Sequence, residues 1–412
     1  MKGFQDRLEE YAELAVKVAL NIQKGQKLYI NADIEHAYFV EIIARKAYEV
    51  GAVKVYTDFF DPSIERLTYE KAPEEGLADY PDWKINMLEE MVDEGGALLN
   101  IYAPDPELLK DIDPERIALS RKAAGKAMKA SRYKNAETNG SISWCVLSVP
   151  TQKWAAKVFP EVDENKQVDA LWEQIFNTTR INLNDPVSLW KDHLHLLQEK
   201  ADYLNRKKII TLHYEGPGTK LSIGLADDSV WKNTQFKTKD GVDFLPNVPS
   251  EEVFTVPHKD KVNGTIAATK PLNYDGNLIE NFSLTFKHGK VVDFQAKKGE
   301  DILKHIIETD EGTKRLGEVA LVPHNSLISN SGVLFYNTLF DENASCHIAL
   351  GNALLMGIED ADSLAHEELI GKGFNESIDH IDLMVGSRDL NIDGETDEGE
   401  RVPIFTSGNW AF

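Results

Sequence analysis

The sequence predicts an α/β protein in two parts: an N-terminal parallel-sheet α/β domain over residues 1–206 and a β-rich α+β domain over residues 207–412. Three observations carry this. The chain's 412 residues exceed the roughly 250 to 300 at which a single hydrophobic core stops growing. In the first half, apolar strands alternate with amphipathic helices, the pattern of a parallel sheet with right-handed crossovers. From about Lys207 the texture changes to short strands separated by Gly and Pro turns.

Phe4, Leu8, Tyr11, Ala15, Val18 and Ile22 recur at steps of four and three and predict a helix that ends before Gly25. Residues 27–31 read as a strand, 36–50 as a helix closed by Gly51, and 53–57 as the next strand, which completes a βαβ unit. Residues 97–102 and 142–147 supply two further buried strands. Asp113-Pro114 starts a long helix with a capping acid and a proline at its first position. Thr151 caps another, and helices follow over 162–179 and 187–205. The loop after the first strand, residues 32–36, has no glycine that would let a phosphate approach the backbone, and no Walker sequence occurs, so a nucleotide site is not expected. His36 in that loop reads as a solvated histidine at a helix start. This half reads as structural or substrate-shaping.

In the second half, 209–214 and 220–225 are expected strands, and 283–286 with 291–294 form a hairpin around His288-Gly289-Lys290. Asp389, Asn391, Asp393, Gly394 and Glu400 match the D-x-N-x-D-G-x5-E pattern of a calcium loop. That loop needs a helix on each side, whereas 380–385 reads as a strand and Pro403 would break a helix on the other side. A hairpin turning at Asp393-Gly394, or an acidic surface loop, is expected instead.

The net charge of −23 argues against nucleic acid and anionic membrane surfaces as partners. A hydrophobic fraction of 42% with 27% charged residues is ordinary for a folded soluble protein. The two cysteines, Cys145 and Cys346, form no CxxC pair, so neither a disulfide framework nor a zinc knuckle is supported and a reducing compartment is expected. The first residues carry charges and lack the apolar core of a signal peptide. No apolar run approaches the ~20 residues of a membrane span. The expectation is a soluble, cytoplasmic protein.

The chemistry concentrates in residues 341–347, where Glu342 and His347 lie five positions apart and open an apolar segment that reads as helix or turn. Upstream, Glu252 and Glu318 sit beside apolar residues; downstream, His380 and Asp382 lie two apart on an expected strand and so share a face. Any one acid among 68 Asp and Glu is by default a solvated carboxylate. A buried one, however, must be paired, protonated or bound to a cation. Two imidazoles with at least three carboxylates suit borderline divalent metals such as zinc, cobalt or manganese. Glu342 could be a ligand, an acceptor that fixes an imidazole tautomer, or a general base. Cys346 reads as a small buried filler, because nothing near it argues a depressed pKa.

These blocks resemble the aminopeptidase T family, the PepS and AmpS group of dimetal aminopeptidases. The likeness spans nearly the whole chain and rests on residues 247–255, 317–322, 339–344 running into 347–351, 380–382 and 404–410. The resemblance implies a cytoplasmic exopeptidase with a C-terminal metal-binding catalytic domain, working as a homodimer that encloses its active sites and so admits short peptides. It implies two divalent ions per chain (zinc, cobalt, manganese or magnesium), held by Glu252, Glu318, His347, His380 and Asp382. Glu342 matches the family acid expected to relay the proton. The family places a tyrosine seven residues after the first histidine, where this sequence has Leu354, and weaker turnover is the expected consequence. A metal-free glycosidase would leave both histidines idle. A relative that binds peptides without cleaving them is the non-enzymatic reading that Leu354 keeps open.

Overall fold

A computed structural model describes residues 2–103, 105–133, 136, 140–274 and 276–412. The chain forms two compact units, Met1–His193 with Gln235–Pro249, and Leu194–Thr234 with Ser250–Phe412. The division falls inside the helix Pro186–Lys207. Residues 235–249 belong to the first unit because the short strand Asn247–Val248 pairs with Ser143–Leu147.

The first unit is built on a five-stranded parallel sheet in the order Asn247–Val248, Ser143–Leu147, Ala97–Ile101, Lys27–Asp33, Lys54–Phe60. Its central strands bury Leu28, Ile30, Leu99 and Cys145, as a parallel sheet covered on both faces requires. The first helix runs Phe4–Leu14 and continues as a π turn, Ala15–Ala19. Ala37–Val50 ends at Gly51, whose φ of 104° is a left-handed cap. Asp113 caps Pro114–Ala130 by accepting from Glu115 N, and Thr151 caps Gln152–Val158 by accepting from Trp154 N. The rings of Tyr11 and Phe39 stack at 5.4 Å, those of Trp172 and Phe176 at 4.9 Å, and Tyr11 meets Trp172 edge-on at 6.2 Å, which joins three helices in one aromatic core.

His36 is not solvated, as expected from the sequence, but buried. Its Nε2 lies 3.2 Å from the Pro150 carbonyl, and burial pushes the imidazole pKa down. Asp33 accepts from Glu35 N and so caps the 3-10 turn Ile34–His36 that carries the histidine.

The second unit holds two antiparallel sheets. The larger has nine strands and includes the expected hairpin, Asn277–Lys287 with Lys290–Lys298, which turns at His288 and Gly289, both at positive φ. The expected turn at Asp393-Gly394 does not form. Both residues lie inside the strand Asn391–Thr396, paired with Ile209–Gly216 on one side and Arg401–Thr406 on the other. Glycine at 394 serves close packing: a Cβ there would meet Ile209 Cδ1 at 2.8 Å and Ile404 Cγ1 at 3.1 Å.

The smaller sheet has the order His380–Met384, His347–Gly351, Leu316–Leu321, Val253–Thr255, Lys232–Asn233. The segment after His347 is thus a strand, not the helix or turn expected. Every residue from His347 to Gly351 is buried, and an apolar run buried on both faces has no period that separates strand from helix.

Candidate active site

Strand alternation sorts the residues of the smaller sheet. Val253, Val319, Leu321, Ile348, Leu350, Ile381 and Leu383 all join the main hydrophobic core of this unit. The intervening positions lie on the opposite face. There Glu318 pairs with Ala349, and Ala349 with Asp382, in one row across three strands. His347 lies two positions before Ala349, and His380 two before Asp382, so both imidazoles share that face. Glu252 enters from the residue just before Val253–Thr255. The small side chains of Ala320 and Ala349 leave room for the polar groups between them.

Glu318 sits at a bulge between Leu316 and the regular pairing. Gly317 makes that possible: a Cβ on it would lie 2.4 Å from the carbonyl oxygens of both Gly351 and Asn352.

Oxygen and nitrogen atoms of Glu252, Glu318 and His347 all lie within 4.8 Å of one another, and those of Glu318, His380 and Asp382 do the same. His347 Nε2 is 3.1 Å from a Glu252 oxygen. His380 Nε2 is 3.0 Å from Glu318 and 3.4 Å from Asp382. Both rings are oriented from behind. His347 Nδ1 lies 3.2 Å from the Ser345 carbonyl and His380 Nδ1 2.7 Å from the Asn352 carbonyl. A carbonyl only accepts, so each Nδ1 carries the proton and each Nε2 is the nitrogen turned to the carboxylates. Sequence reasoning missed these two carbonyls, because main-chain acceptors leave no trace in residue types.

Glu318 and His347 are 5% and 1% exposed, and Glu252 and Asp382 9% each. Glu342, on the 3-10 turn Glu342–Ala344, is only partly exposed. Burial raises the pKa of Glu342 well above the carboxylate range, and the charges of Asp382 and Glu252 add to that. Burial also raises Glu318, against the opposing hydrogen bond from His380. For His347 burial works downward, but the hydrogen bond and charge of Glu252 outweigh it and lift the imidazole to about 10. His380 likewise rises despite burial, through Asp382 and Glu318. Asp382 falls below its ordinary value because His380 outweighs the effect of burial.

The site fits a metal. Among the described residues, Asp382 Oδ1 is buried and makes no hydrogen bond beyond its 3.4 Å ion pair with His380 Nε2, so it keeps acceptor capacity for a cation. Four carboxyl groups, those of Glu252, Glu318, Glu342 and Asp382, stand against two imidazoles, more acidic groups than the histidines can pair one to one. Imidazole nitrogens with carboxylate oxygens are a donor set for borderline divalent ions. Cys346 takes no part: it is buried behind the sheet, its Sγ 3.3 Å from the Val322 carbonyl, and burial pushes the thiol up to about 12.

Two histidines and a group of carboxylates on one face of a sheet, over an apolar core, are a donor set that suits a metal-dependent enzyme. The chain belongs to the family described as thermophilic metalloprotease (M29), whose model matches residues 4–410. It is 50% identical over 412 residues to aminopeptidase 2 of Geobacillus stearothermophilus, covering 100% of this chain and 99% of that protein. It is 48% identical to aminopeptidase AmpS of Bacillus subtilis, with 100% of both covered. The solved structure of wild-type AmpT from Thermus thermophilus superposes with a TM-score of 0.93 at 38% identity, covering 100% of each chain. The fold class expected from the sequence, parallel α/β followed by a β-rich unit, is the one observed.

Proposed function

We propose that this peptidase removes N-terminal residues from short peptides with two divalent ions, one held by Glu252, Glu318 and His347 and the other by Glu318, His380 and Asp382. The observation that carries this is the position of Glu318, which belongs to both groups of ligand atoms and can bridge two ions. The names of the relatives support the aminopeptidase reading. When bound, the ions supply Lewis acidity, which polarises the scissile carbonyl and acidifies water.

The chain's own residues do the rest. The Ser345 and Asn352 carbonyls hold both Nε2 atoms towards the carboxylates, where they would ligate the ions. Glu342 is the acid of the group that is partly open, which places its carboxylate to take a proton from water and pass it to the leaving amine. A cytoplasmic homodimer that limits access to short peptides belongs to the same proposal, supported by the family resemblance. Among the described residues no helix is long and apolar enough to cross a membrane.

One residue favours a second reading, a weakened relative that binds peptides: Leu354, where the resemblance expects a tyrosine. The test is hydrolysis of aminoacyl nitroanilides with zinc, cobalt, manganese or magnesium. Activity that is lost with a chelator and restored by one of these metals supports the peptidase. Peptide binding without turnover under every metal supports the second reading. Light scattering tests the dimer.

A further inference from the structure

We infer that Asn343 is the residue that positions the Glu342 carboxylate, an assignment that rests on the proposed role of Glu342 as proton carrier. Asn343 is fully buried. Its Oδ1 accepts from the backbone N–H of Glu251 at 2.8 Å and from the Ser250 hydroxyl at 3.5 Å. A backbone N–H can only donate, so the amide oxygen must face Glu251 and the amide nitrogen must face away. On that side Nδ2 donates to the Leu339 carbonyl at 3.2 Å and to Glu342 Oε1 at 3.3 Å. Four partners determine the orientation of one amide.

Those partners come from separate parts of the site. Ser250 and Glu251 directly precede the candidate ligand Glu252. Leu339 lies in the short helix Thr338–Asp341, which leads into Glu342. Asp341 secures that helix from its other side, accepting from Phe335 N at 2.8 Å and from Asn337 N at 3.1 Å. Asn343 therefore ties the approach to Glu252, the turn that carries Glu342, and the Glu342 carboxylate into one unit. Once ionised, Glu342 stands among the like charges of Asp382, Glu252 and Glu318, which would turn it aside. A donor on Oε1 opposes that rotation and leaves Oε2 as the oxygen that takes and gives the proton. Asn343 touches no reacting atom, and aspartate of the same size would turn an acceptor towards Oε1.

The experiment is a cycle of wild type, Asn343→Asp, Glu342→Gln and the double variant. Each is measured for kcat, KM, metal content and melting temperature, the last also on metal-free protein. Asn343→Asp keeps the oxygen facing Glu251 and removes both donations. Expected are full metal content, a KM within about twofold, and a kcat lower by about 10- to 100-fold, the scale of a misplaced catalytic group. On the Glu342→Gln background the same change costs no further kcat, because it acts through Glu342. An equal loss of kcat on both backgrounds, or an unchanged kcat with a lower melting temperature, overturns the assignment. If Asn343→Asp does not fold, Asn343→Ala replaces it in the same cycle. If wild type shows no peptidase activity under any metal, the reading of Glu342 fails, and the melting cycle decides the contact: non-additive shifts support it and additive shifts overturn it.

Discussion

Glu318 and Asp382 stand on either side of Ala349 in one row across three neighbouring strands. Ala349 is fully buried, and its single methyl group is what lets two carboxylates and two imidazoles converge on that face. Ala349→Leu should therefore overpack the site. The expected loss is about 1 to 3 kcal/mol of stability, the usual result of added bulk in a packed interior, together with loss of metal binding. Chemical denaturation and elemental analysis check it. A variant that keeps full metal content and stability would mean the face has slack that the structure does not show.

Because Glu318, among the described residues, is the one shared by both ligand groups, variants of the site should differ in how much metal they lose. Glu318→Ala should lower the content towards none, whereas His347→Ala and His380→Ala should each spare the other group. Removal of a true ligand costs metal, and removal of a bystander does not. Full metal content in Glu318→Ala would reject the shared-ligand assignment.

The imidazoles give the site a pH dependence whose sign is determined by His347. Its pKa in the metal-free protein is about 10 against an ordinary 6.5. A histidine raised in this way contributes stability that is fully present below pH 6.5 and is lost as pH rises through 10. Metal-free protein should accordingly melt lower at pH 10 than at pH 7. Metal uptake must displace that proton, so affinity should rise with pH by about tenfold per unit for each proton released. Calorimetric titration in two buffers of different ionisation enthalpy measures the release. Buffer-independent heats would show that the imidazoles are already neutral.

Much of this architecture is legible in the residues, and the illegible parts have physical causes. The strands at 27–31, 97–102 and 142–147 could be read because they are short apolar runs bounded by turn signals. The helices Pro62–Lys71 and Asp82–Asp93 could not: the first buries no residue and the second only Met91, so neither carries a clear apolar stripe. The two-residue strand Asn247–Val248 is too short to show a period, yet it assigns a whole segment to the first unit. His380 and Asp382 share a face through strand alternation alone. By contrast, the approach of Glu252 to His347 depends on strands far apart in sequence. Asn343 lies inside the block that drew attention to Glu342, but its role depends on Glu251, 92 positions away.

Leu354 is the position where the proposed activity is most open to test. It does not sit two helical turns from His347, because His347–Gly351 is a strand and a 3-10 turn begins only at Leu355. Leu354 instead ends a short loop that starts at Asn352, whose carbonyl holds His380 Nδ1 at 2.7 Å. The loop is thus anchored to the site two residues before the half-buried side chain at 354. A tyrosine there could direct its hydroxyl at the oxygen of the tetrahedral intermediate, a donor whose absence typically costs about 10² to 10³ in turnover. Leucine can only pack. Leu354→Tyr is expected to raise kcat at unchanged metal content and unchanged melting temperature. If leucine instead fills a pocket shaped around it, the larger ring will lower the melting temperature and leave kcat where it was. Steady-state kinetics and a melting curve on this one variant separate the two outcomes.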